Sequence, residues 1–148
     1  MGAPLLRWVT HGSPDYLALV ELRRETLRRP LGLDFTAQQL TEEKDHLHLG
    51  AWEGNMLIGC AALILEDAAA RMRQVAVVPE SRGKGIGRIL VVESEAEALR
   101  RGAALMTLHA RHTALAFYER LGYSAQGEPF MEVGIPHRNM TKALRRFA

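Results

Sequence analysis

Val75-Ala76-Val77-Val78-Pro79-Glu80-Ser81-Arg82-Gly83-Lys84-Gly85-Ile86-Gly87 is the stretch that decides the architecture. Its β-branched opening reads as a strand, and Pro79 stops it because proline cannot donate to a sheet ladder. After the glycines, Ile86, Ile89, Val92, Ala96, Leu99 and Ala103 recur at spacings of three and four. A long helix therefore begins inside the glycine run and turns that stripe toward a core. Gly102 follows Arg100-Arg101 as a C-terminal stop, with cations in the last turn. A strand, a tight glycine turn and a helix start together form an anion site. Glycines let successive backbone N–H groups converge, and the helix start adds partial positive charge. Lys84 adds a full charge, so a phosphate or pyrophosphate is the natural ligand.

The common nucleotide patterns do not fit. A P-loop needs Ser or Thr after Gly-Lys and an earlier glycine, but Gly85 follows Lys84 and Val78 holds the earlier position. The dinucleotide pattern G-x-G-x-x-G fails in both registers, with Arg88 or Leu90 in the third glycine position.

Working outward, Leu5 to Val9 reads as a first strand. Ser13-Pro14 opens a helix, with Ser as N-cap, Pro in the first turn and Leu17, Val20, Leu22 and Leu27 as an apolar face. Arg29-Pro30-Leu31-Gly32 ends it. Residues 33–44 read as a loop and a short helix. Leu47, Leu49 and Ala51 alternate with His46, His48 and Gly50, Glu53-Gly54-Asn55 is a turn, and Met56 to Leu65 is the return strand. A turn over 66–70 leads to the strand 71–78. Beyond the long helix come a strand over Leu105 to Ala110 and a short helix over Thr113 to Leu121, with Ala114, Phe117, Tyr118 and Leu121 on one side. Strands near Tyr123–Gln126 and His137–Leu144 follow. The order β-α-α-β-β-β-α-β-α-β-β makes an α/β (α+β) domain, a mixed sheet with helices on its faces.

The 148 residues suit one domain spanning 1–148. With 47% apolar and 24% charged residues the chain is an ordinary globular protein rather than a disordered one. The net charge is only +2 and the basic residues are scattered, which argues against a nucleic-acid partner. The doublets Arg23-Arg24, Arg28-Arg29 and Arg100-Arg101 read mostly as solvated charge near helix ends. No apolar run reaches the roughly 20 residues that span a bilayer, and no secretory signal opens the chain, so the expected location is the cytoplasm. Cys60 is the only cysteine and lies in an apolar run, so it reads as a buried thiol. His46 and His48 lack a third ligand at metal-site spacing, and no metal is expected.

Arg82-Gly83-Lys84-Gly85-Ile86-Gly87 resembles the Arg/Gln-x-x-Gly-x-Gly/Ala signature of the GNAT superfamily of N-acetyltransferases. The preceding Val75 to Glu80 matches that family's strand and its exit. Ala114-Leu115-Ala116-Phe117-Tyr118-Glu119-Arg120-Leu121-Gly122-Tyr123 resembles the second characteristic block, a helix carrying Phe-Tyr and ending Leu-Gly-aromatic. Residues 128–137 and 29–33 are similar to a bacterial subgroup, the YjcF/ElaA-like proteins. A looser similarity links the family to glucosamine-phosphate N-acetyltransferases.

The resemblance implies a mixed, mostly antiparallel sheet with helices on both faces and a splay between its two central strands. It implies acetyl-CoA as co-substrate, with the pyrophosphate on Arg82, Gly83, Lys84, Gly85, Ile86 and Gly87. The pantetheine would pair with Val75, Ala76 and Val77, and Phe117 and Tyr118 would lie beside it. Tyr118 occupies the position of the tyrosine that protonates the departing thiolate. A homodimer is an assembly such proteins often adopt.

The base stays open among His109, Glu132, His137 and water, because Arg73 and Gln74 stand where many relatives carry a Glu. Arg111 stands where relatives often carry Asn. The acceptor is expected to be a small primary amine, with a protein or peptide amine or a CoA-binding regulatory module as alternatives. Arg23, Arg71 and Arg73 favour an acidic or phosphorylated acceptor.

Overall fold

The computed structural model describes residues 2–145. Seven strands form one sheet in the order β1-β2-β3-β4-β5-β7-β6. They are β1 (Leu5–Val9), β2 (Leu47–Glu53), β3 (Met56–Glu66), β4 (Ala69–Val77), β5 (Leu105–Arg111), β6 (Ser124–Glu132) and β7 (Ile135–Ala143). All neighbours pair antiparallel except β4 and β5, which are parallel and joined by a helical crossover. The helices are α1 (Pro14–Arg23), α2 (Ala37–Glu42), α3 (Ile86–Arg100) and α4 (Leu115–Arg120). Among the described residues, no helix is long and apolar enough to cross a membrane.

Helices cover both faces of the sheet. Leu19 and Leu22 of α1 pack with Trp52, Cys60 and Ala76 on one side. Ile86 and Leu90 of α3 pack with Leu49, Ala51 and Ala61, and Val91, Ala98 and Tyr118 extend a larger core over Met72, Met106 and Met140. The central strands are therefore covered twice, and His48 to Trp52 and Ile58 to Leu63 are buried without alternation.

The structure changes several expectations. The core stripe of α3 is Ile86, Leu90, Val91, Ser94 and Ala98, whereas Val92 is 49% exposed and Ile89, Ala96 and Leu99 are half-buried. Ser94 joins the buried row because its hydroxyl donates to the Leu90 carbonyl at 2.8 Å, which satisfies it inside the helix. In α1, Leu17 is exposed, and Tyr16, Leu19 and Arg23 join Val20 and Leu22 inside. Ser13 caps that helix by accepting from the Tyr16 N–H. His46 precedes β2 rather than sharing its face with His48. The last two strands are longer than expected, because an irregularity between Gln126 and Phe130 absorbs Gly127-Glu128-Pro129 and pairing resumes beyond it.

Candidate functional site

The glycine turn lies between the end of β4 and the start of α3. Gly83 and Gly85 hold φ of +78° and +81°, a left-handed backbone that a side chain at Cβ opposes. Gly85 is the N-cap of α3 and offers no side-chain cap. The amides of Gly83, Lys84 and Gly85 donate to no backbone oxygen among the described residues, and the first-turn amides of a helix have no partner within it. Gly87 has a different reason: a Cβ there would meet Phe117 Cζ at 3.2 Å. The first turn of α3 thus lies close against Phe117 of α4. Arg82 is held across its base, donating from Nε to the Val77 carbonyl at 3.2 Å. Lys84 is exposed.

Pairing between β4 and β5 runs only from Ala69 with Leu105 to Met72 with Leu108. β4 continues to Val77 and β5 to Arg111. Beyond Met72 the edge of β4 facing β5 has no strand partner among the described residues, and such an edge can pair with an extended ligand. β4 also bulges here. Its register with β3 shifts between Cys60 and Ala62, and Gln74 takes φ +56°.

A cavity of about 310 Å³ occupies this opening. Val75, Ala110 and Tyr118 line it, and all three pack with the core on the α3–α4 side. Arg71, Arg73, His109 and Arg111 line it from alternate positions of the same strands, which face the α1 side. Leu27 and Arg28 close it from a single π-helical turn, Arg24–Arg28, that continues α1. Glu132, Val133 and His137 of the β6–β7 hairpin close the other end.

Tyr118 is buried, and Phe117 packs edge-on against it with centroids 4.9 Å apart. Burial alone pushes its phenol up to about 12, and its hydroxyl has no hydrogen-bond partner among the described residues. It is therefore protonated at neutral pH, a donor aimed at a cavity.

The three residues considered as bases converge. His109 Nδ1 lies 3.0 Å from Glu132 Oε1, and His137 Nε2 lies 3.6 Å from Glu132 Oε2. Burial raises the Glu132 pKa, but the His109 hydrogen bond and the His109, His137 and Arg73 charges outweigh it and hold the carboxyl below its usual range. Arg71 Nη2 also lies 3.0 Å from His109 Nδ1. One nitrogen cannot accept from Arg71 and donate to Glu132 at once, so the two contacts belong to different tautomers of His109.

Arg28 and Arg73 carry lowered pKa values, chiefly from burial. The charges of Arg111, Arg23 and Arg73 add to this at Arg28, and that of Arg71 at Arg73. Arg73 remains open to solvent at the cavity mouth despite that crowding. Arg111 donates to the Leu27 carbonyl at 3.2 Å.

Arg23 is not part of this wall. It is 1% exposed and donates twice to Glu43, at 2.8 and 2.6 Å, and Tyr16 donates to the same carboxylate at 2.8 Å. A residue read as a partner for substrate is instead half of a buried ion pair. Arg28, missed in the sequence, takes the place expected of it. The signal was weak: a second arginine doublet just before Pro30. Cys60 is buried beside the bulge, and burial pushes its thiol up to about 12, so it is inert.

The family model described as Acetyltransferase (GNAT) domain matches residues 24–144. The chain is 29% identical over 101 residues to the uncharacterized N-acetyltransferase YjcF of Bacillus subtilis (strain 168), covering 68% of this chain and 72% of that one. An acyl-CoA N-acyltransferase from Pseudomonas aeruginosa superposes with a TM-score of 0.82 at 24% identity, covering 95% of this chain and 100% of that one. ElaA of Escherichia coli superposes with a TM-score of 0.80 at 22% identity, covering 94% and 99%.

Proposed function

Because the chain belongs to the GNAT acetyltransferase family and is an acyl-CoA-dependent N-acetyltransferase, we propose that it moves acetyl from acetyl-CoA to the primary amine of a small molecule. An amino sugar phosphate such as glucosamine 6-phosphate has the right chemistry. One observation carries this reading: a single cavity reaches Tyr118 on one face of the sheet and the His109–Glu132–His137 cluster on the other.

In this reading the pyrophosphate of CoA sits on the amides of Gly83 to Gly87, with Arg82 and Lys84 beside it. The pantetheine pairs with the open edge of Val75, Ala76 and Val77. A strand N–H at that edge meets the thioester oxygen where negative charge develops. The amine nitrogen attacks the thioester carbon from the α1 side, the carbon–sulfur bond breaks, and the amine loses one proton.

His109 is placed to take that proton. When its Nδ1–H donates to Glu132, Nε2 is the lone-pair nitrogen, and Glu132 stabilises the imidazolium that forms. Tyr118 serves the sulfur. A phenol near 12 is a weaker acid than a thiol near 8.5, so full transfer of its proton to the free thiolate is uphill unless the phenolate is reprotonated at the same time. Tyr118 therefore hydrogen-bonds the sulfur as charge builds and passes its proton only in step with reprotonation.

The test is Tyr118→Phe, read by free-thiol release and by equilibrium acetyl-CoA binding. Turnover is expected to fall by about a hundredfold or more, with CoA affinity within about twofold. Unchanged turnover would remove Tyr118 from the chemistry.

A further inference from the structure

Four guanidinium groups line one cavity. Arg71 and Arg73 come from β4, Arg111 from the end of β5, and Arg28 from the π turn. Among the described residues the only carboxylate in the lining is Glu132, and it is already engaged by His109 and His137. Elsewhere Arg7, Arg23, Arg24, Arg29, Arg100 and Arg101 each have a carboxylate partner, while Arg82, Arg88, Arg120 and Arg138 have none among the described residues but stand apart rather than sharing one cavity. None of the four cavity arginines is ion-paired among the described residues. Arg71 Nε is buried with no hydrogen-bond partner, as are those of Arg23 and Arg138 outside the cavity, so the case for the cavity rests on unmatched charge.

With the histidines neutral, four positive charges against one negative leave an excess of three in a confined space. Like charges held together repel, and a low-dielectric wall strengthens that repulsion. An arrangement of this kind is completed by an anion. Arginine is suited to the task, because its planar donors match carboxylate and phosphate oxygens. The donor's phosphates do not account for it, since no residue of the turn Arg82 to Gly87 lines the cavity.

We propose that the acceptor amine carries a carboxylate or phosphate group that seats among Arg28, Arg71, Arg73 and Arg111, a reading that rests on the acetyl transfer set out above. The seat also bears on the base. An anion that takes the Arg71 N–H leaves His109 Nδ1 to Glu132, the tautomer in which Nε2 accepts a proton. Binding the correct acceptor thus arms the site for that acceptor.

The experiment compares matched amines that differ by the anionic group, by thiol release from acetyl-CoA. The phosphate arms are glucosamine 6-phosphate against glucosamine, and phosphoethanolamine against ethanolamine. The carboxylate arm is 4-aminobutyrate against butylamine. The anionic member of at least one pair is expected to be favoured about tenfold to a hundredfold in kcat/KM, the worth of one charge-assisted hydrogen bond. Arg73→Gln should shrink that preference severalfold through KM, and Arg73→Lys should restore part of it. Arg28→Gln, with melting temperatures of all variants, guards against a misfolded protein.

Neutral members used as well as anionic ones would overturn the seat. If no amine releases thiol although CoA binds, the acetyltransferase reading fails and the seat is judged separately. Calorimetric titration with inorganic phosphate and with glutarate then decides: binding that weakens in Arg73→Gln supports it, and no binding to the wild type overturns it.

Discussion

Arg23 and Arg28 lie five residues apart, and both guanidinium groups stack on Phe35, each 4.6 Å from its ring centre. Beyond that ring their surroundings part. Arg23 ends α1, is sealed from solvent and is matched by Glu43, which Tyr16 also bonds. Arg28 ends the π turn and faces a cavity shared with three other arginines and no free carboxylate. In the first arrangement the charge is matched within the fold. The second leaves charge outstanding, and cost without internal compensation is the mark of a site built for something that arrives. Burial sets the difference: a sealed charge must be paired at once, while a charge on a cavity wall can wait in water.

The largest effect that tests this contrast is on stability. Glu43→Gln leaves Arg23 buried without its counter-charge and is expected to cost about 3–5 kcal/mol, read by urea denaturation. A loss below about 1 kcal/mol would mean that the pair is no more structural than a surface bridge.

Next comes pH. Burial depresses the pKa values of His46 and His48, so the unfolded chain binds protons first as pH falls below about 6.5. Glu43 and Glu132 are held below their usual 4.5, so their contribution is present above that value and lost as pH falls through their folded values. Stability should therefore decline in two stages, each group contributing at most about 1.4 kcal/mol per pH unit. His48→Gln should flatten the upper stage in a melting-temperature series, and a single stage near 4.5 in the wild type would contradict the first.

The smallest effect is Arg73→Gln on the fold itself, expected within about 0.5 kcal/mol of the wild type. A large loss of stability would move Arg73 from the acceptor seat to the framework.

The geometry of the glycine turn was legible because one contiguous stretch encodes it. Gly83 and Gly85 are needed for their backbone angles and Gly87 for the approach of Phe117, so residue identity reported geometry directly. The order of strands and helices was equally readable, since it depends on local periodicity and on stops such as Pro79. The α3 stripe was misread because Ser94 counts as polar in a sequence but can satisfy itself within its helix.

The cavity is assembled from residues between Leu27 and His137 on separate elements, and no local pattern encodes their meeting. His109, Glu132 and His137 stood as rival candidates in the sequence, and the fold makes them one cluster. Arg23 and Arg28 stood in identical doublets, and only tertiary packing separates their roles.

The most direct measurement is thiol release from acetyl-CoA by the wild-type protein across a panel of primary amines, with products weighed by mass spectrometry. An acetyltransferase with this cavity as its acceptor site releases thiol in step with an N-acetyl product for at least one small amine. Tight CoA binding with no release for any amine, small molecule or peptide, would contradict it and leave a CoA-binding module without turnover.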